Sequence, residues 1–584
     1  MYIIVSVLLM LLFSVRKAIA CTTVILGKKA STTGHVVVGH NEDDAGHIIN
    51  RHGFVPPAHH FPDELLPAEP GCASIPQVAS THGFYWSEIK RASGGLSNAD
   101  SFYNDAGVLI VSDSCGKSNM DMDVPSLLSD GGIGYNLRRI MAERAGSARE
   151  AIEIAASLLD KYGYTGSGRA YIVADAEEAW VLQASRGKNY VARRVGDDEI
   201  AFIPNWFTVH EIDEDSCIAS PNLLEYAIQK GWYSKENGAF DFARAWQSET
   251  TWMNAGSRFR CAGGYSLLTR TPFSREEHYP FAIVPREPIS IEHVKEVLRS
   301  HYEGTVMDPT WMRIEATGGS PHDTELRRIC TETTVESLVA VFDTRDRPDL
   351  TTIWTSFGRP CELPYLPLHP YHGVPTQFDS MGEKAQEFLS THCLPDERLS
   401  CRQDGVWQEF RDYQSLFELF YEEQHPTHER ALWSFEQVLA NHNRSVIDDA
   451  ANHKEDAAKI LRKADEQTAT QAISRLRGWT EELKKLETPI SAQKTDLELI
   501  LHLSLDHDRV PQEELFCLFW ESANARKEGI RALPGSLQED NGDWIVRFSL
   551  SDVRKAGSNG TYDFYLGGRD QNGRCFGGHL PLAL

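Results

Sequence analysis

The stretch Ala18-Ile19-Ala20-Cys21-Thr22-Thr23-Val24-Ile25-Leu26 joins two different readings at a single residue. Upstream of it, Tyr2 to Phe13 is nearly unbroken apolar sequence. That run is too short to span a bilayer, which takes about 20 residues, and has the length of a signal-peptide core. Ala18 and Ala20 stand at the two positions a signal peptidase reads, so residues 1–20 are expected to be a signal peptide and Cys21 the first residue of an exported chain. Arg16 and Lys17 follow the apolar run instead of preceding it, a departure from the usual order. The competing expectation is a lipid-anchored Cys21, since Ala18-Ile19-Ala20-Cys21 loosely resembles a lipobox without its leading leucine.

Downstream, Cys21 to Leu26 and His35-Val36-Val37-Val38 flank a Gly, Lys, Ser and Thr turn and read as a hairpin. The β-branched run Val36–Val38 is continuous, as in a strand covered on both faces. Further strands are expected at Phe102–Val111, around a turn, and at Ala170–Asp175 with Ala179–Leu182. Ile133 to Lys161 carries helical periodicity and a capping box, Ser147 with Glu150. Strands and helices interspersed without strict βαβ alternation predict an α+β fold with largely antiparallel sheets. From Asp404 to Glu487 the sequence turns helical and charged, and beyond Thr488 alternating runs such as Asp543–Leu550 and Thr561–Leu566 predict a small β-rich appendage. The expected division is therefore 1–20, 21–487 with its helical region 404–487, and 488–584.

Over 584 residues the formal charge is -25. Such a surplus of carboxylates argues against a nucleic-acid partner, because neutralising phosphates takes a basic surface. Apart from Cys21 there are ten cysteines, of which Cys393 and Cys401 enclose a short loop and are the favoured disulfide pair. No C-x-x-C zinc pattern, H-E-x-x-H motif or G-x-S-x-G elbow occurs. His47, His52, His59, His60 and His82 lie close in sequence but lack ligand spacing, so a solvent-facing loop is expected there rather than a metal site.

An N-terminal cysteine carries its own base. Its thiol titrates near 8.5 and its α-amine near about 7.7–8.0, so the amine can take the thiol proton and later return it to a leaving amine. Before cleavage that nitrogen is an amide and cannot. Asp43, in Gly39-His40-Asn41-Glu42-Asp43-Asp44, is the candidate to orient the amine, with Glu42 and Asp43 otherwise reading as surface carboxylates. Asn104, in Tyr103-Asn104-Asp105-Ala106-Gly107, is a candidate oxyanion donor or else a turn residue.

Cys21-Thr22-Thr23, Gly39–Asp43, Ala99–Val108 and Gly132–Arg139 together resemble the dipeptidase A family of N-terminal-nucleophile cysteine peptidases. The likeness continues through Ala174–Val181, Ile203-Pro204-Asn205-Trp206-Phe207 and Gly358-Arg359-Pro360-Cys361 to about Glu487. The resemblance implies an αββα sandwich and hydrolysis of dipeptides with broad side-chain tolerance, small peptides being the substrates, without a metal or organic cofactor. Carried over by residue, Cys21 is nucleophile and base, Asp43 orients its amine, Asn104 and Asn205 form the oxyanion site, and Arg258 lies beside the nucleophile. His40 stands where related acylases have arginine. An acylase of the same fold cleaving a non-peptide amide, and a non-catalytic exported binding protein, are the alternatives.

Overall fold

The computed structural model describes residues 21–583 apart from 45–47, 68, 92–99, 121–126, 275–277, 309–318, 323–326, 393–404, 507, 514–515, 520–528 and 557–560. The expected leader and the Cys393–Cys401 pair therefore lie outside the described residues.

Thr22–Leu26 (β1) and Val37–Asp43 (β2) form the predicted hairpin, with Thr22 opposite Asn41 and Leu26 opposite Val37. β2 is longer than its β-branched run suggests, so Gly39–Asp43 lies within the strand. Side chains alternate faces along a strand. Ile25, Val36 and Val38 consequently enter one apolar core, while Val24, Leu26 and Val37 enter another. Both faces are covered, which explains the unbroken β-branched sequence.

The sheet containing β1 and β2 runs Ala282–Ile283, Ile200–Ile203, β1, β2, Thr334–Val341, Thr352–Ser356, Leu366–Leu368. A second sheet runs Cys217–Ala219, Asn189–Val195, Ala179–Gly187, Tyr164–Ala174, Leu109–Ser114, Ser101–Asn104, Phe84–Arg91, Ile48–Val55. Neighbouring strands pair antiparallel throughout. The sheets share the core of Ile25, Val38, Val111, Ile172 and Val181.

Helices Ala255–Thr269 and Ile291–Arg299 bury Phe259, Ala262, Val294 and Leu298 against the outer face of the first sheet. Helices Asn136–Arg144 and Ala148–Tyr162 bury Leu137, Ile140, Ile152 and Leu159 against the outer face of the second. Helix, sheet, sheet and helix make the αββα sandwich. The expected single helical stretch is divided at Ala145–Ser147, where Ser147 Oγ accepts the Glu150 N–H at 3.2 Å and Glu150 returns a carboxylate to Gly146 N at 2.8 Å.

Helices Val406–Leu419, Tyr421–Asn452 and Ala457–Lys484 supply Phe410, Phe417, Leu439 and Leu476 to the inter-sheet core cluster. Beyond them two four-stranded sheets enclose a separate core that includes Leu501, Val546, Phe548, Phe564 and Phe576. They rest on the preceding helices, where Glu423 accepts the Cys575 N–H at 2.8 Å. Among the described residues no helix is long and apolar enough to cross a membrane.

Candidate active site

Because β1 opens at Thr22, Cys21 sits at the head of a central strand, on the same face as Thr23 and Ile25, and is only 2% exposed. His40 and Glu42 project from β2 to that face. The Cys21 thiol donates to Glu42 Oε1 at 2.7 Å. His40 Nε2 lies 3.1 Å from Glu42 Oε2, His40 Nδ1 lies 2.8 Å from Thr23 Oγ1, and Thr23 donates to Asp113 Oδ2 at 2.6 Å. Asp113 comes from the facing sheet, so the polar chain bridges both.

The donors along this chain fix its protons. Thr23 gives its hydrogen to Asp113, so its lone pair accepts from His40 Nδ1–H, and His40 Nε2 is left to accept from a protonated Glu42. Electrostatics agree. Burial pushes Glu42 up to about 8 and Asp113 up to about 7. Burial lowers the pKa of His40, keeping the ring neutral. Cys21 is raised well above the ordinary thiol value, first by burial and then by the charges of Glu42, Asp113 and Asp43. The thiol is a proton donor here, and its activation calls for an added positive charge.

Glu42 and Asp43 are buried, correcting the surface reading. Asp43 projects from the opposite face of β2, where Thr334 donates to Oδ1 at 2.7 Å and Thr331 to Oδ2 at 3.3 Å. Its backbone carbonyl lies 3.9 Å from Cys21 Sγ. Burial pushes its carboxyl up to about 7, opposed by Arg327 and Arg260.

Arg260 is the arginine that reaches Cys21. From helix Ala255–Thr269 its Nη1 donates to Cys21 O at 2.7 Å and to Thr22 Oγ1 at 3.0 Å, and its Nη2 to Asn205 Oδ1 at 2.6 Å. Arg258, two residues earlier, points elsewhere: its Nε donates to Trp252 O at 3.1 Å and its guanidinium lies over Trp206 and Trp252. At 3.6 residues per turn a two-residue offset places side chains on opposite faces, which corrects the expectation for Arg258.

Asn205 follows strand Ile200–Ile203 and is 6% exposed. With Oδ1 held by Arg260, its Nδ2 is buried and has no hydrogen-bond partner among the described residues. An amide fixed with its donor end unsatisfied suits an oxyanion. Asn104 turns its amide to other partners than Cys21. Its Nδ2 donates to Ala142 O at 3.0 Å and Ala145 O at 2.8 Å, and its Oδ1 accepts from Ala106 N and Val108 N. It locks a β-turn onto a helix end, the turn role considered from sequence, and the oxyanion assignment for it is withdrawn.

His52 is buried on strand Ile48–Val55 rather than in a solvent-facing loop, with Nδ1 at 2.7 Å from Tyr85 Oη and Nε2 at 3.3 Å from Glu336. His59, His60 and His82 pair separately with Ser80, Glu64 and Asp105, and His47 lies outside the described residues. The sequence reading missed Arg260, Thr23 and Asp113. The cue for Arg260 was present in Arg258-Phe259-Arg260, where two arginines compete for one site.

A cysteine heading an inner strand of an αββα sandwich, with a buried amide donor nearby, defines the architecture of the N-terminal-nucleophile hydrolases. The chain belongs to peptidase family C69, whose model matches residues 20–392, and it is accordingly a peptidase. A probable dipeptidase from Salmonella dublin is 25% identical over 316 residues, covering 51% of this chain and 70% of that protein. A probable dipeptidase from Latilactobacillus sakei is 23% identical over 357 residues, covering 60% and 73%. A variant of the conjugated bile acid hydrolase from Clostridium perfringens is 8% identical, with a TM-score of 0.23 over 58% of this chain and 89% of that one, a likeness that carries no weight here.

Proposed function

We propose that the mature protein is an exported dipeptidase that attacks the peptide carbonyl with Cys21. Removal of residues 1–20 converts the Cys21 amide nitrogen into an amine and places a new ammonium among Glu42, Asp43 and Asp113. That charge lowers the thiol and carboxyl pKa values. After the ammonium has released its extra proton to solvent, as an α-amine does near about pH 7.7–8.0, the neutral amine takes the thiol proton as sulfur bonds to the carbonyl carbon. The amine returns the proton to the leaving nitrogen, and the thioester is hydrolysed by a water that the same amine deprotonates. Asn205 Nδ2 donates to the oxyanion, and Arg260 holds both Asn205 and the Cys21 carbonyl in register.

The observation that carries this reading is the position of Cys21, buried at the head of β1 and hydrogen-bonded to Glu42, with the unsatisfied Asn205 amide joined to its carbonyl through Arg260. Preference for a short substrate rests on Arg327, whose Nη1 is buried with no hydrogen-bond partner among the described residues and whose charge acts on Asp43 and Cys21. A dipeptide places a carboxylate one residue from the scissile bond, within a span a single arginine can serve.

The test compares dipeptides, their C-terminal amides and N-acyl amides as substrates of the mature chain, with Arg327→Met alongside. Free dipeptides are expected to be cleaved best, and Arg327→Met should raise KM for them by about tenfold or more while leaving the amides unaffected. Turnover of acyl amides alone would instead establish an acylase.

A further inference from the structure

Behind the active centre, four side chains from separate segments converge. Cys330 Sγ and Cys361 Sγ are 3.5 Å apart, His301 Nε2 and His322 Nε2 are 3.1 Å apart, and His322 Nε2 lies 3.3 Å from Cys361 Sγ and 4.0 Å from Cys330 Sγ. All four residues are buried, with their ligand atoms within 4.8 Å of one another.

These separations match the edges of a coordination tetrahedron. Zinc bonds of about 2.3 Å to sulfur and about 2.0–2.1 Å to nitrogen give ligand edges of ~3.8 Å between sulfurs, ~3.3 Å between nitrogens and ~3.5 Å between the two kinds. The far ring nitrogens are also held. His301 Nδ1 lies 2.5 Å from Glu303 Oε1, and His322 Nδ1 lies 2.8 Å from Ser320 Oγ and 3.3 Å from Glu418 Oε2. Carboxylate and hydroxyl partners on Nδ1 turn both Nε2 atoms towards one point, the outer shell that metal-binding histidines characteristically have.

We propose that His301, His322, Cys330 and Cys361 bind one zinc ion in a closed tetrahedral site that fastens the segment Arg327–Thr334 behind the nucleophile. Two thiolates neutralise the dication, and four protein ligands leave no position for substrate, so the role is structural. The coupling to the active site is short. Ile329 O accepts from Asn41 Nδ2 at 3.0 Å, and Thr331 and Thr334 hold the Asp43 carboxyl. Cys330 lies between those contacts, so fixing its sulfur to Cys361 fixes the strap against β2. No local spacing reveals the set, because the ligands are scattered over 301, 322, 330 and 361.

The experiment is elemental analysis of the mature protein purified without chelator, followed by replacement with cobalt. About one zinc per chain is expected, with the intense visible absorption and thiolate charge-transfer band of tetrahedral cobalt–sulfur coordination. Cys361→Ser and His322→Gln should lose the metal, and Cys21→Ser should retain it. Should the first two variants not fold, thiol labelling of the unaltered protein still decides: Cys330 and Cys361 should resist alkylation until a chelator is added, with a fall in melting temperature. A folded protein purified without chelator that holds no zinc would overturn the proposal, whether these cysteines are alkylated, joined as a disulfide or merely shielded by burial. Metal content is independent of turnover, so absence of dipeptide cleavage leaves this result standing, and the converse holds.

Discussion

Asn205 and Asn104 have the same side chain and opposite employment. Asn205→Ala removes the donor proposed for the oxyanion, and kcat is expected to fall on the order of 10²–10³-fold with the melting temperature little changed. Asn104→Ala orphans two helix-end carbonyls and two turn amides, and should cost roughly 1–3 kcal/mol or more in denaturant unfolding while the residual folded protein keeps its kcat. The reverse pattern in the two variants would exchange their roles. Cys21→Ser should preserve the far-ultraviolet spectrum and lose on the order of 10³-fold or more in turnover; full activity there would end the thiol mechanism. Cys21 was legible because the sequence expected to carry a cleavage site and the start of a strand meet at it. Arg260 was not, because choosing between two arginines two positions apart requires knowing which helix face meets the sheet. The Thr23–Asp113 bond was hidden by its sequence separation of 90.

At the scale of elements, the hairpin and the alternating strands were readable because β-branched runs bounded by small polar residues leave few other choices. The helices over the first sheet were harder. Helix Ala255–Thr269 contains Gly263-Gly264, which lowers helix propensity and hides its periodicity. The structure supplies the reason for those glycines. A Cβ on Gly264 would come within 2.2 Å of Phe202, and one on Gly263 within 2.1 Å of Tyr302. The helix therefore lies close on the sheet, and that closeness lets Arg260 reach the Cys21 carbonyl. Gly264→Ala is expected to lift the helix, costing about 1–3 kcal/mol in stability and reducing kcat by more than its effect on KM. Unchanged kinetics in a stably folded Gly264→Ala protein would separate helix seating from catalysis.

Across the whole molecule, buried ionisable groups set the pH dependence of stability. Burial pushes Glu42 up to about 8 and Asp43, Asp113 and Glu336 up to about 7. Above the unfolded values near about 4 the native state keeps protons the unfolded chain has lost, so this contribution declines as pH rises towards 8. His52, His425 and His428 are lowered by burial to about 3, 4 and 4, so they act the other way, adding stability as pH climbs to the unfolded histidine value of about 6.5. Because four raised acids outnumber three lowered histidines, the melting temperature of the Cys21→Ser protein with its leader retained is expected to fall from about pH 5 to about pH 8, most steeply near about pH 7, where the histidines no longer offset the acids; a melting temperature rising across that interval would contradict the buried acids. None of this was visible in a formal charge of -25, which counts every carboxylate as ionised.

The burial of Cys21 also imposes an order of events in time. A protease cutting before residue 21 needs several residues in extended form on both sides of the bond, yet Cys21 and the whole of β1 are enclosed between neighbouring strands of the first sheet. Once that sheet has closed, the bond is out of reach. On the proposed route the leader is therefore removed from a chain still in transit, and folding acts as a deadline: a precursor that folds first becomes a stable protein permanently denied its amine.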